Sequence, residues 1–192
     1  RCVRQLLVTH DIAPDWTVTD RMRDWLAEPD HHQLVIGQPD YPPLLARIDG
    51  PPPVLLAIGA REVLRMPQIA VVGSRRATPA AREIAHGLAG ELVAAGLTVT
   101  SGLAAGVDRA AHEGALAGGG LTLAVFGCGV DVIYPRNHGG LAARIREQGL
   151  LVSEFPLGAP PLAGHFPRRN RIISGLALGT VVVEAALTSG SL

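Results

Sequence analysis

From about residue 67 onward the chain alternates between short apolar runs and Ala-rich stretches with helical spacing. The runs at residues 69–72, 97–100, 121–126, 150–153 and 180–184 predict five strands. The stretches at about 79–95, 108–117, 138–147 and 167–178 predict the helices between them. Thr78 is placed to cap the first of these helices, with Pro79 in its first turn and Gly96 at its end. Ile84, Leu88 and Leu92 share one side of it and are expected to face the core. Strand and helix in regular alternation define an α/β protein with a mainly parallel sheet and helices on both faces.

The pattern before residue 66 is different. Both Trp residues and repeated Pro clusters lie there, and the periodicity is broken. A helix capped by Thr19 would place Met22, Trp25 and Leu26 on one side, ending at Pro29. A brief apolar segment, 34–36, follows, and Pro51-Pro52-Pro53 introduces residues 54–58 as a short strand for the edge of the main sheet. The expected organisation is a small helical and extended appendage over 1–65 and a sheet domain over 66–192.

Each predicted strand ends in small or polar residues: Gly73-Ser74, Ser101-Gly102, Gly127, Ser153-Glu154, and Glu184 ahead of Ser189-Gly190. The carboxyl ends of parallel strands face the ligand crevice, so these turns are expected on one rim. The first carries Arg75 and Arg76 and runs into a helix start, where outward amides and the helix dipole favour an anion. A second concentration of charge is His165-Phe166-Pro167-Arg168-Arg169-Asn170-Arg171. Cations at the start of a helix oppose its dipole, which calls for an anionic ligand or for buried carboxylates, with Glu154 and Glu184 as candidates. Arg169 or Arg171 can be such an internal strut. Phe166, among these cations, suits stacking on an unpaired base.

Composition removes several classes. The 17 basic residues are all Arg, so a Walker A lysine, a pyridoxal phosphate lysine and a Schiff-base amine are absent. The first strand ends GSRRAT, without GxGxxG, and the second lacks a ribose-binding carboxylate, which speaks against a dinucleotide oxidoreductase. Zero net charge argues against a uniformly basic duplex binder while leaving room for a local basic groove. Cys2 and Cys128 suit a reduced compartment, Cys128 reading as a small buried filler. No metal-ligand spacing, cofactor signature, signal peptide or membrane-length apolar run is legible, so the cytoplasm is the expected location and neither metal nor cofactor is expected.

The segments GSRRATPAA, SGLAAGVDRAAH, GCGVDVIYPRNH, SEFPLG, HFPRRNRIISGL and the terminal SGSL, in this order, resemble the DNA-processing protein A (DprA/Smf) family over about residues 41–192. The resemblance implies an extended Rossmann-like fold and a cytoplasmic, non-catalytic protein. Such a protein binds single-stranded DNA, usually as a homodimer, and loads the RecA recombinase during natural transformation. By resemblance, Arg75 grips a phosphate, Phe166 contacts a base, and Arg169 and Asn170 lie in the binding segment. Ser74, Arg76, Ser101, Gly102, Arg168 and Arg171 complete the expected DNA-binding set, with no catalytic residue. Ala163 stands where many members carry a Lys, leaving Arg168, Arg76 or His165 to compensate.

An alternative is a nucleotide-binding or nucleoside monophosphate-hydrolysing enzyme of a related Rossmann-like family, with Glu184 as its carboxylate. The SGLALGTVVVE segment keeps only the Gly-Thr and the Glu of the PGGxGTxxE pattern such enzymes share, at a different spacing.

Overall fold

The computed structural model describes residues 16–186. Cys2 and the Ser189-Gly190 turn lie outside the described residues. The strands are β1 (His31–Val35), β2 (Val54–Gly59), β3 (Gln68–Val72), β4 (Thr98–Ser101), β5 (Thr122–Val125), β6 (Leu150–Ser153) and β7 (Gly179–Val182). The helices are α1 (Trp16–Leu26), α2 (Pro79–Ala94), α3 (Val107–Ala117), α4 (Gly139–Gln148) and α5 (His165–Leu176).

All seven strands join one sheet in the order β1-β2-β6-β5-β4-β3-β7. From β6 to β7 neighbouring strands run parallel, whereas β1–β2 and β2–β6 are antiparallel. The chain steps from β3 outward to β6, then returns through α5 to place β7 on the other side of β3. The strand order therefore reverses beside β3, the place where open α/β sheets open a ligand crevice.

Alternation along the strands sorts the core into two faces. Leu55, Ala57, Leu123, Val125, Leu150 and Val152 point toward Ile172, Ile173 and Leu176 of α5. Leu56, Ala124 and Leu151 point to the opposite side, where Leu141, Ala142 and Ile145 of α4 and the half-buried Met22 and Trp25 of α1 pack. Val71 and Val99 meet α2 and α3 on that same side. The extended Rossmann-like α/β architecture with helices on both faces is thus present.

Three expectations change. Residues 54–58 form an interior strand: Leu56 to Ile58 pair with Leu151 to Ser153 on one side, and Val54 to Ile58 pair with β1 on the other. Their burial on both faces explains the unbroken apolar run, and His31–Val35 takes the edge instead. The first helix begins at Trp16, so Thr19 lies inside it. In α2 the core side is Ala81, Ala85 and Ala89, with Leu92 half-buried against it, while Ile84 is 59% exposed. Helix α3 approaches so closely that a Cβ on Gly114 would overlap the carbonyl of His86, and only small residues fit such a contact.

Candidate nucleic-acid interface

At the end of β3 the chain turns through Gly73-Ser74-Arg75 in a space that dictates its residues. A Cβ on Gly73 would come 2.7 Å from the Glu184 carbonyl oxygen and 2.7 Å from Val107 Cγ2. The Ser74 amide donates to the Glu184 carbonyl at 2.6 Å, and the Val107 amide donates to the Ser74 carbonyl at 3.2 Å. Gly106, at φ +80°, lies so close beneath that a Cβ there would overlap the Ser74 carbonyl. The Ser74 hydroxyl folds back to accept from the Arg76 amide at 3.1 Å. This pinned turn projects Arg75 and Arg76 into solvent.

The helix start that follows is already occupied. Thr78 caps α2 by accepting from the Ala81 amide at 3.1 Å, as the sequence indicates. Its own hydroxyl donates to the Glu184 carboxylate at 2.7 Å, and its amide reaches both carboxylate oxygens at 3.2 and 3.3 Å. The hydroxyl and amide of Thr78 hold the Glu184 carboxyl below its usual range. The anion at this helix mouth is therefore supplied by the protein itself. That corrects the expectation of free first-turn amides, and it commits the carboxylate on which a hydrolytic reading depends.

The second turn, Ser101-Gly102, supports the site from within. Ser101 is fully buried and donates to the Val71 carbonyl at 2.6 Å, so its hydroxyl does not face a ligand. The space a side chain on residue 102 would need is filled by the Arg169 guanidinium. Arg169 is 3% exposed, and its Nη1 donates to the Val125 carbonyl at 2.6 Å. Burial pushes the Arg169 pKa down and that of Asp108 up, and the field of each charge opposes the other's shift. Asp108 also accepts from the Ala104 amide at 3.4 Å. Arg169 is thus an internal strut between α5 and the ends of β4 and β5, with Asp108 as its counter-charge. Sequence reasoning passed over Asp108 because an acid in the first turn of a helix reads as ordinary dipole compensation.

The other cations of this segment answer the question of the helix start. The Glu154 side chain is 3% exposed and receives Arg171 at 2.7 and 2.8 Å and Arg168 at 3.2 Å. Arg171 also donates to the Gly50 carbonyl. Two guanidiniums against one carboxylate leave net positive charge at this end of α5. Arg168, 62% exposed, is the more accessible of the pair.

Phe166 completes the rim. The Arg75 guanidinium lies 5.0 Å from the centroid of its ring, a cation–π contact between the first turn and α5. The ring also presses against Gly127, where a Cβ would stand 2.8 Å from Phe166 Cδ1. The Arg75–Phe166 pair divides two hollows. The larger, about 540 Å³, lies over the β3–β7 switch and is lined by Val72, Gly73, Ala163, Asn170 and Thr180, among others. The smaller, about 170 Å³, is lined by Gly102, Phe126, Gly127, Tyr134 and Pro135. Arg75 and Phe166 line both, and Glu184 lines neither. Tyr134 is 43% exposed, and its ring is tilted against Phe166 at 5.5 Å. Sequence reasoning gave Tyr134 no role, although the motif carrying it stood out. Cys128 is buried, and burial pushes its thiol to about 11, which fits a filler and not a nucleophile.

An open, mainly parallel sheet with a cationic and aromatic cleft outside its strand ends defines a protein of the Rossmann-like α/β class. Comparison with known proteins narrows this further. Residues 32–192 match the family described as DNA recombination-mediator protein A, and the chain belongs to that family. It is 48% identical over 178 residues to Protein Smf of Escherichia coli (strain K12), covering 88% of this chain and 45% of the relative. It is 44% identical over 156 residues to DNA processing protein DprA of Streptococcus pneumoniae, covering 79% of this chain and 54% of the relative. The chain spans about half the length of these curated relatives. The crystal structure of Streptococcus pneumoniae DprA superposes with a TM-score of 0.83 at 38% identity, covering 90% of this chain and 60% of that one. The Helicobacter pylori protein, described for its single-stranded DNA binding mode, superposes with a TM-score of 0.76 at 33% identity. That match covers 84% of this chain and 72% of the other.

Proposed function

We propose that this chain is the single-strand-binding part of a DNA-processing protein. It binds without catalysis, protects incoming strands and passes them to the RecA recombinase during natural transformation, in the cytoplasm and as part of a homodimer. The observation that carries this reading is the Arg75 guanidinium stacked 5.0 Å over Phe166 at the sheet's switch point. A guanidinium holds a phosphate oxygen, while an adjacent aromatic face accepts a base that duplex pairing would hide. Arg76 and Arg168 extend the positive path, and Asn170 lines the larger hollow beside it. Arg169, Ser101 and Gly102 hold the floor, and Ser74 shapes the turn. Family membership and the single-stranded DNA binding described for the Helicobacter pylori relative support the same reading. Phosphate contacts carry no sequence information, so binding is sequence-tolerant.

The test is fluorescence anisotropy with labelled oligo-dT and the matching duplex across a salt series. With about three to five phosphates neutralised, log affinity for the single strand falls with log salt at a slope of roughly −2 to −3.5. Arg75→Ala weakens binding and makes that slope shallower by about 0.7. Equal affinity for duplex, or full affinity in Arg75→Ala, would overturn the proposal.

A further inference from the structure

The loop between β4 and α3 holds one residue in a conformation that its type avoids. Leu103 has φ +57°, the one positive φ outside glycine among the described residues. A leucine there crowds its Cβ against the backbone and persists only where the surroundings over-determine it. Two buried histidines do so. The Leu103 amide donates to His112 Nε2 at 3.3 Å, and the Leu103 carbonyl accepts from His138 Nδ1 at 2.9 Å. His112 belongs to α3 and is fully buried, whereas His138 stands at the start of α4 and is 3% exposed. The Leu103 side chain is itself buried in the core cluster that holds Leu141 and Ala142 of α4. A ring nitrogen therefore fixes the peptide on each side of the Leu103 Cα.

This orientation reaches the cleft by two routes. The N–H and C=O of a trans peptide point opposite ways, so the histidines also direct the Gly102 carbonyl and the Ala104 amide away from themselves. The Ala104 amide meets Asp108 at 3.4 Å, and Ala104 lines both hollows. Further along, Gly106 lies beneath the first turn, where a Cβ would stand 2.8 Å from the Arg75 carbonyl oxygen. The Val107 amide holds the Ser74 carbonyl at 3.2 Å. The turn that carries Arg75 thus rests on the loop that the histidines hold.

We infer that His138 and His112 are positioning residues of the DNA site, clamping Leu103 left-handed and so fixing the support under Arg75. This inference rests on the single-strand reading above and deepens it. Neither histidine lines a hollow, so each acts through the loop and not on the strand. Without the His138 donor the buried Leu103 carbonyl is left unpaired, and the residue relaxes toward the right-handed region that leucine favours. Gly106 then shifts beneath the Arg75 turn. Asparagine carries an amide nitrogen where Nδ1 stands and can replace the donor, which leucine cannot.

The experiment measures oligo-dT anisotropy beside the three-bond coupling between the amide and α protons of Leu103, which reports its φ. His138→Leu is expected to weaken oligo-dT binding about 5- to 30-fold, the cost of one left-handed residue written as an equilibrium ratio, and to change the coupling. His138→Asn keeps the wild-type coupling and stays within about twofold in affinity. His112→Leu, which removes the acceptor for the Leu103 amide, gives a loss of the same order as His138→Leu. In the Arg75→Ala background, His138→Leu costs less than about twofold, because the group it positions is gone. An unchanged coupling or full affinity in His138→Leu overturns the clamp and leaves the phosphate site standing, as does an undiminished loss in the Arg75→Ala background. If His138→Leu does not fold, His138→Gln takes its place, since its amide lies one bond too far, and equal affinities of the Asn and Gln variants overturn the clamp. Failure of the wild-type chain to bind oligo-dT overturns both the positioning role and the single-strand reading.

Discussion

The guanidinium of Arg169 occupies the volume that any side chain on residue 102 would need. Gly102→Ala therefore forces the strut from its seat. The expected result is a loss of about 1–3 kcal/mol in stability, as for overpacked cores. Weakened single-strand binding should accompany it, because Gly102 and Arg169 also line the two hollows. Urea titration and anisotropy on the same variant check both.

Removing the strut itself should also be costly. Arg169→Met leaves the Val125 carbonyl without its donor and Asp108 buried without the nearby positive field, so a loss of about 1–3 kcal/mol is expected. Asp108→Asn in the Arg169→Met background should recover part of that loss. A double-mutant cycle measured by urea unfolding reads the coupling directly.

The helix start at Thr78 separates capping from ligand binding. Thr78→Ala removes the acceptor for the Ala81 amide and should cost about 1 kcal/mol. Glu184→Gln keeps a hydrogen-bonding oxygen beside Thr78 and should leave oligo-dT affinity within about twofold. A nucleoside monophosphate hydrolysis assay gives the contrast: base release that Glu184→Gln abolishes would assign the carboxylate to catalysis.

Close packing of α2 on α3 sets two effects against each other at Gly114. Alanine is the better helix former by roughly 1 kcal/mol. The added Cβ, however, overlaps the His86 carbonyl, which is backbone and cannot swing aside. The clash wins, and Gly114→Ala should lower the thermal midpoint, whereas Ile84→Ser on the exposed side of α2 should barely move it. Differential scanning calorimetry on both variants tests this.

His112 gives stability a defined pH dependence. It is fully buried: its Nε2 accepts from the Leu103 amide at 3.3 Å, and its Nδ1 faces Thr122 Oγ1 at 2.7 Å. The Thr122 hydroxyl donates to the Val99 carbonyl, so Thr122 Oγ1 accepts and Nδ1 carries the proton of a neutral ring. Burial lowers the His112 pKa from 6.5 to about 3. The unfolded chain therefore takes up a proton between those values that the folded chain refuses. This contribution is complete above pH 6.5 and is lost as the pH falls toward 3. Asp108, raised by burial, works in the opposite sense, its unfavourable term vanishing as the pH falls. Between pH 7.5 and 5, the wild type should lose about 2 kcal/mol more than His112→Gln, measured by urea unfolding.

Much of this was legible in the sequence because period and turn chemistry are local. The parallel strands, the Thr78 cap and the Gly73-Ser74-Arg75 turn followed from neighbouring residues alone. What was hidden depends on what crosses from elsewhere. Ile84, Leu88 and Leu92 have the right spacing for a core face, but α3 comes so near that alanines take its centre, with Leu92 packed at its margin and Ile84 left exposed. Residues 54–58 look like an edge strand beside three prolines until β1 and β6 flank them. Arg168, Arg169 and Arg171 read alike in sequence, and only the positions of Glu154, Asp108 and the Val125 carbonyl sort them into surface charge and internal strut.

The two halves of the cleft hang from opposite sides of the sheet. Arg75 leads into α2, which packs on α3, which in turn packs on α4, whereas Phe166 belongs to α5, the one α-helix on its side among the described residues. At the exposed lip of this rim the two layers meet through the Arg75–Phe166 cation–ring contact. A bound strand lying across it works as a tie rod between them. Its arrival should slow amide hydrogen exchange in α5 more than in the mutually packed helices opposite, which already brace one another.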